Sequence, residues 1–283
     1  MSEIAVRREG GWVPVSLRAI VTGLVVGMVA ANVWPLLLLR LGMPLAAALE
    51  ALFLILYVLW AAGGGPPRAW QAARADAFRV RRLSIADWGW GLLAALAFAS
   101  TIHAAIVVLF RLVPFPAAAF HAGYDFSFIP AGPLQWAAIV ASAISAGVCE
   151  ETGFRGYMQR PIEKRHGAAI GILVSAVFFT LLHLNKGWAT IGMVPIVFLA
   201  GLLLGRLAIA SASLVFCMIG HTIMDIGLFA YWWTQIAGTF SQRPIGETGL
   251  DASFFVEAGA FVLALLVTLL ATNRLAAVRM RSS

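Results

Sequence analysis

The chain of 283 residues is strongly apolar: 61% of its residues are hydrophobic, only 12% are charged, and the formal net charge is +7. A soluble domain is nearer to about half apolar and about a quarter charged, so these proportions exclude an ordinary water-soluble protein. Basic loops that meet anionic lipid headgroups explain the positive charge, so we expect no nucleic-acid partner.

Eight apolar segments of the chain predict membrane-spanning helices, because about 18 or more apolar residues in helical form cross a bilayer. The alternating pattern of a membrane β-barrel is absent from the sequence. We therefore predict an all-α, polytopic membrane helical bundle of about eight transmembrane helices, with residues 1–283 forming a single integral membrane domain. The segments lie near residues 17–39, 44–62, 88–112, 132–152, 168–184, 189–207, 212–234 and 253–273.

Lysine and arginine are distributed unevenly between the two sides of this bundle. If the N-terminus is cytoplasmic, sixteen of the 20 basic residues fall on the inner side, and only Arg40, Arg111, Lys186 and Arg243 fall on the outer side. This positive-inside asymmetry predicts that both termini are cytoplasmic. Short loops and a composition rich in Ala, Arg and Leu are typical of bacteria, so we expect a bacterial inner (plasma) membrane protein.

Two longer connections stand out. Residues 63–87 begin with Gly and Pro and continue as a basic stretch with interleaved aromatic and apolar residues, which predicts an amphipathic helix at the membrane interface. Residues 235–252 are expected to form an outer loop.

Two adjacent carboxylates, Glu150 and Glu151, close the fourth segment in the stretch CEETGFRGYMQRP. Arg155 follows Glu151 by four residues, so these two side chains share a helix face and can form an ion pair. Ionisable groups at membrane depth are costly and are usually functional. The two glutamates are therefore candidate site residues.

Two further segments carry polar residues one helical turn apart. Segment five places Phe179 and His183 at i and i+4, and segment seven places His221 and Asp225 at the same spacing. Because these pairs and Glu150 interrupt three otherwise apolar helices, we expect them to converge in one site within residues 132–234.

Other polar residues carry no functional expectation. A single histidine inside a membrane helix is more often a packing residue than a catalyst, and His103 is expected to be one. Glu50 lies near the outer end of segment two, where its side chain is expected to reach the interface. His121 and His166 lie in loops and receive no role.

The candidate residues suit hydrolysis of a peptide bond by an activated water. A carboxylate beside a neutral imidazole can hold a water and accept its proton. A second imidazole with a hydrogen-bonding partner can stabilise the oxyanion of a tetrahedral intermediate. Glu151, paired with Arg155, would hold the end of the helix and orient Glu150.

Straight helices perpendicular to the membrane would separate two of these residues in height. His183 would lie about 24 Å from the inner face, and Glu150 about 15 Å from the inner end of a helix that continues to Arg160. Helix tilt, or a turn within the membrane at 184–188, would remove this difference.

Two other chemistries use the same residues. Cys149 adjoins Glu150 and could act as a thiol nucleophile with His183, although buried cysteine usually serves as a small apolar residue. Glu150, Glu151, His183 and His221 could form a zinc-binding set, but the HExxH motif is absent. We therefore expect neither a metal nor an organic cofactor.

Two other functional classes also fit a membrane protein with buried carboxylates. A proton-coupled transporter would use them as a relay, but the two halves of the sequence show no paired symmetry. The other alternative is a non-catalytic membrane scaffold, which would have no need for all of these polar residues.

The motifs EExxxR, FxxxH and HxxxD, in this order on three apolar segments, resemble those of the CPBP family. These are the CAAX proteases and bacteriocin-processing enzymes, also called the Abi family, and the eight predicted helices fit that family as well. The matching residues are Glu150, Glu151, Arg155, Phe179, His183, His221 and Asp225.

The resemblance implies a glutamate-dependent intramembrane endopeptidase. By motif position, Glu150 would be the base that activates water, His183 its partner on that water, and His221 with Asp225 the oxyanion-stabilising pair. Glu151, Arg155 and Phe179 would support the site. The last motif position is Asn in the prenyl-processing members; an ionised Asp225 cannot donate a hydrogen bond, so it would act in protonated form or by orienting His221.

The resemblance also bears on partners. The substrate would be a protein or peptide at the membrane. Leader peptides, signalling peptides or C-terminal sorting segments are expected ahead of prenylated CAAX proteins, given the bacterial style of the composition.

Overall fold

The computed structural model describes residues 14–123, 126–184 and 192–282, and within these ranges it is helical and contains no strand. The predicted polytopic helical bundle is confirmed. The side of the membrane that each terminus faces stays a prediction.

The helices are numbered here in chain order. They are α1 Val15–Leu41, α2 Met43–Ala61, α3 Gln71–Ala77, α4 Ile85–Leu112, α5 Ala117–Gly123, α6 Pro133–His166, α7 Ala168–His183, α8 Val194–Ser211, α9 Val215–Trp233, α10 Ile245–Thr248 and α11 Ala252–Ser282.

Seven helices of the described chain are long and apolar enough to cross a membrane, namely α1, α2, α4, α6, α8, α9 and α11. The fifth predicted segment forms α7, which has only 16 residues. At 1.5 Å per residue this is about 24 Å, which is shorter than the hydrocarbon core of about 30 Å. The fourth predicted segment ends near residue 152, whereas α6 continues to His166.

Two of the three motif-bearing helices, α6 and α9, lie in the middle of the bundle. The spans α6, α8 and α9 are at least half buried, whereas α1, α2 and α11 leave most of their surface to the lipid. Helix α9 packs against α6 and α4, and α7 packs against α8. Small residues permit close contact: a Cβ on Gly201 would lie 2.9 Å from the Cα of Ala176.

Helix α6 passes through a π-helical stretch, Thr152–Met158, directly after the two adjacent glutamates. A π-turn interrupts the regular backbone hydrogen bonds of the α-helix, so some carbonyl oxygens must accept hydrogen bonds from other donors. The Ser175 hydroxyl donates to the Phe154 carbonyl at 3.0 Å. The Arg79 guanidinium donates to the Arg155 carbonyl at 3.4 and 3.5 Å. Neighbouring segments thereby stabilise this stretch.

The predicted interfacial segment at 63–87 contains a 3₁₀ turn at Arg68–Trp70, the short helix α3 with seven residues, and the first residues of α4. Arg74 is 3% exposed and fixes the preceding loop. Trp70 and Val80 remain 65% and 60% exposed, which suits contact with the membrane interface. The Arg74 guanidinium donates, at 2.8 to 3.1 Å, to the carbonyls of Trp60, Gly64, Gly65 and Pro67.

The predicted outer loop at 235–252 contains α10 and is held by a buried arginine. Arg111, at the end of α4, is 1% exposed and pairs with Asp251 at 2.7 Å and Glu257 at 3.1 Å. This loop is therefore attached to the bundle by charge.

Candidate active site

Glu150 and His183 reach the same height because α6 and α7 form a tight antiparallel hairpin. Gly167 connects the two helices with a φ of 92°, a conformation that favours glycine. Glu150 lies 16 residues before the end of α6, and His183 lies 15 residues after the start of α7. These spacings are about 24 Å and about 22 Å of helix. The expected difference in height is wrong, because the helix continues beyond Arg160.

A cavity of about 410 Å³ lies beside this hairpin, and both Glu150 and His183 line it. Both side chains are partly buried. Helices α1, α6, α7 and α9 form the wall, together with Phe126 and Phe128. An apolar cavity with a few polar groups is the usual form of a small-molecule or peptide site. The remaining lining includes Trp34, Leu38, Leu39, Leu182 and Phe229.

The ring of His183 has a defined hydrogen-bonding direction. Its Nδ1 lies 2.7 Å from the Phe179 carbonyl oxygen. A carbonyl only accepts, so Nδ1 must carry the proton and donate. In the neutral ring, Nε2 is then an acceptor. His183 can therefore accept a hydrogen bond from a water in the cavity.

A second group of site residues is buried behind the first. The Oε1 atom of Glu151 accepts from Arg155 Nη1 at 2.8 Å and from His221 Nδ1 at 2.7 Å. The Nε2 atom of His221 lies 3.5 Å from Asp225 Oδ2. Glu151 and Arg155 are fully buried, and His221 is 2% exposed. These four side chains are called the buried charge cluster below.

Phe179 connects the cavity to the buried charge cluster. Its ring centroid lies 4.4 Å from the guanidinium carbon of Arg155, which is cation–π distance. The His183 ring lies 4.5 Å away and the His221 ring 5.9 Å away. One aromatic ring therefore supports both imidazoles.

The structure thus brings the seven motif residues together in two adjacent groups. Glu150 and His183 belong to the cavity, and Phe179 separates them from the buried charge cluster. His221 and Asp225 are not part of the described cavity lining. The bond between Glu151 and His221 had no signal in the sequence, because it joins helices 70 residues apart.

Two other intramembrane residues have clear positions. His103 Nε2 donates to the Met224 carbonyl at 3.1 Å, and its Nδ1 accepts from Trp232 at 3.3 Å, as expected of a packing histidine. Glu50 is 2% exposed, so the expectation that it reaches the interface is wrong. The signal was present: an ionisable residue inside an apolar segment is a functional candidate by default.

The alternative chemistries receive no geometric support. Cys149 is fully buried, as is the other free cysteine, Cys217. In the described parts of the chain, no group of three or more His, Cys, Asp or Glu side chains is arranged to hold a metal ion.

One protein-family model matches the chain. It is described as Type II CAAX prenyl endopeptidase Rce1-like and covers residues 132–227, a region that contains all seven motif residues. No curated protein and no solved structure matches the chain. The match agrees with the three motifs and with the multi-pass helical bundle around them. The protein is therefore a multi-pass integral membrane protein whose residues 132–227, about a third of the chain, are similar to the Rce1-like Type II CAAX prenyl endopeptidases.

Proposed function

We propose that this protein is an intramembrane endopeptidase that hydrolyses a peptide bond of a membrane-associated protein or peptide. The observation that carries the proposal is the shared cavity of Glu150 and His183. A carboxylate and an imidazole acceptor face the same space, and the rest of its wall is largely apolar. Such a space suits an apolar peptide segment together with one reactive water.

Glu150 acts as the base in this proposal. Its carboxylate accepts a proton from a cavity water while the water oxygen bonds to the carbonyl carbon of the peptide. The tetrahedral intermediate then breaks at the C–N bond, and Glu150 returns the proton to the leaving amine. His183 accepts the other hydrogen of the water at Nε2, because its Nδ1 already donates to Phe179.

In this proposal His221 stabilises the developing oxyanion by its positive charge and not by a hydrogen bond, because both of its ring nitrogens face carboxylates. The Glu151 carboxylate, which also binds Arg155, only accepts, so His221 Nδ1 donates to it. Asp225 faces the other ring nitrogen. A ring with a carboxylate at each nitrogen is favoured as imidazolium, and the buried charge cluster is then neutral. Aspartate in place of asparagine would serve to charge and orient His221.

The substrate is proposed only as a class. The apolar wall suits a hydrophobic segment that enters from the membrane, and no metal takes part in the proposed steps. Leader, signalling or sorting peptides remain the preferred substrates.

The experiment compares membranes that contain the wild-type protein with membranes that contain Glu150→Gln or His183→Ala. N- and C-terminal proteomics would identify new peptide ends, which we expect only with the wild type. Cleavage is then reproduced with purified protein in liposomes, with and without a chelator. Cys149→Ala is the matched control and should cleave normally.

Several results would contradict the proposal. An active Glu150→Gln variant beside an inactive Cys149→Ala variant would indicate a thiol protease. Loss of activity on chelation, restored by zinc, would indicate a metalloenzyme. Proton-coupled uptake into liposomes without any cleavage would indicate a transporter.

A further inference from the structure

The cavity beside Glu150 is an elongated groove between α1 and α6, which run antiparallel. At one end a Cβ on Gly27 would lie 3.2 Å from the carbonyl oxygen of Cys149. At the other end the Trp34 indole N–H donates to the Ser142 hydroxyl at 2.6 Å, and both of these residues line the cavity. Ser142 lies eight residues before Glu150, which is about 12 Å of helix. The groove can therefore hold several residues of a peptide.

Each of the two helices lines the groove with one continuous face. The lining residues are spaced by four along α6 and by four and three along α1, which is the spacing of a single helix face. A peptide that lies along the groove would contact both faces. These lining residues include Ser142, Ala146 and Glu150 on α6, and Met28, Asn32 and Pro35 on α1.

Few polar groups are available along the groove. A peptide in an apolar environment must still pair its backbone N–H and C=O groups. Ser145 is 1% exposed, whereas Asn32 and Ser142 keep exposed surface. A bound peptide can therefore reach these two side chains away from the reacting bond. Besides Glu150 and His183, the described lining contains three hydroxyl or amide side chains, Asn32, Ser142 and Ser145.

The Ser142 hydroxyl has a proton to donate. Serine and threonine inside helices often donate to the carbonyl four residues earlier, as Thr101, Thr180 and Ser211 do. In the described parts of the chain, the bond from Trp34 is the one hydrogen bond of the Ser142 side chain. This bond fixes the hydroxyl oxygen, because Trp34 is 3% exposed. The hydroxyl proton is then available to a carbonyl of a bound peptide.

The Asn32 amide offers the complementary acceptor. Asn32 is an exposed polar residue within the span α1, where such a group is costly in contact with lipid. Its Nδ2 donates to the Met28 carbonyl at 2.7 Å, which holds the amide against α1 and leaves Oδ1 to accept. Asn32 lies two residues before Trp34, so it is within about 3 Å of the Ser142 contact along the helix axis.

We propose that Asn32 and Ser142 bind the main chain of the substrate three or four residues from the bond that is cleaved. An extended peptide advances about 3.3 Å per residue, so about 12 Å of groove corresponds to this distance. The Ser142 hydroxyl donates to a peptide carbonyl, and Asn32 Oδ1 accepts from a peptide N–H. The substrate is bound as an extended segment, since a helix would pair these groups internally. The inference rests on the proposed role of Glu150 and His183 in cleavage.

The test measures kcat and KM separately for purified protein in liposomes, with a peptide that spans the cleavage site found by proteomics. Ser142→Ala and Asn32→Leu should each raise KM about fivefold, the effect of one neutral hydrogen bond, and leave kcat within about twofold. Ser142→Thr keeps the hydroxyl and should keep KM within about twofold of the wild type. The matched control is Ser211→Ala, because this buried serine lies on α8, outside the described lining. It should lower thermal stability and leave KM unchanged.

A series of modified peptides tests the acceptor directly. Each amide of the peptide is replaced in turn by an ester, which lacks the N–H donor. With the wild type, one ester three or four residues from the cleaved bond should raise KM about fivefold. The same ester should have no further effect on Asn32→Leu, because the acceptor is already absent.

Three results would overturn the inference. The first is a variant, Ser142→Ala or Asn32→Leu, that keeps the wild-type KM. The second is a Ser142→Thr protein as impaired as Ser142→Ala. The third is an ester effect that is equal in the wild type and in Asn32→Leu. An active Glu150→Gln variant would instead overturn the proposed function.

Discussion

Glu150 and Glu151 are adjacent in the chain but lie in two different environments. Glu150 is partly exposed and lines the cavity with His183. Glu151 is fully buried and is bound by Arg155 and His221. One residue along a helix rotates a side chain by about 100°, which is enough to separate a water-accessible face from a packed one. The comparison teaches that the helix face decides whether a carboxylate inside this bundle lines a cavity or is packed into a buried charge cluster.

The largest expected effect is the loss of cleavage activity when Glu150, on the cavity side, is changed. Glu150→Gln should lower the cleavage rate by about 10³-fold, because the amide cannot accept the proton of the water. Its thermal unfolding in detergent should stay within about 0.5 kcal/mol of the wild type, since the side chain is not part of the buried charge cluster. A variant that unfolds would show that the two environments are not separate.

For Glu151→Gln we expect the main effect on stability and not directly on the cleavage step. This change leaves Arg155 and His221 without their carboxylate and should destabilise the protein by about 3–5 kcal/mol. Thermal unfolding and detergent gel filtration measure the loss. The double variant Glu151→Gln with Arg155→Met should recover part of it, because no unpaired guanidinium remains. A stable but inactive Glu151→Gln protein would place Glu151 in the chemistry.

A smaller loss of stability is expected when the contact between Arg79 and the π-helical stretch of α6 is removed. Arg79 is 6% exposed and pairs with Glu163 at 2.7 Å, besides its bonds to the Arg155 carbonyl. Arg79→Ala should cost about 2 kcal/mol of stability. The neighbouring exposed residue provides the control, Arg82→Ala, which should be neutral. Equal effects of the two changes would contradict the structural role of Arg79.

The smallest effect on stability is expected for Phe179, whose ring lies between the cavity and the buried charge cluster. Phe179→Leu removes the cation–π contact with Arg155 and the contacts with both imidazoles, at a cost of about 1 kcal/mol. Activity should fall further than stability, because His183 loses its support. Phe178→Leu, the same change on a different face of α7, should keep normal kcat. Similar kcat values for both variants would contradict the positioning role of Phe179.

Much of the fold could be predicted from the sequence. The eight long apolar segments predict the approximate positions of eight helices, of which seven are long enough to cross a membrane and α7 is shorter. The spacing of Glu151 and Arg155, and of His221 and Asp225, predicts contacts that depend only on one helix.

Contacts between helices were harder to predict, for physical reasons. Periodicity shows which residues share a face but not which faces meet. The bond from His221 to Glu151 and the burial of Glu50 both depend on packing between separate helices. The height of Glu150 was misjudged because the helix was predicted to end at Arg160, whereas α6 continues to His166.

The Gly167 connection makes the position of His183 in the candidate active site depend strictly on the length of α7. Adding one residue to α7 between this glycine and His183 would raise the imidazole by about 1.5 Å and turn it about 100° around the helix axis, away from the cavity. Even an alanine inserted there should abolish catalysis in a protein that still reaches the membrane.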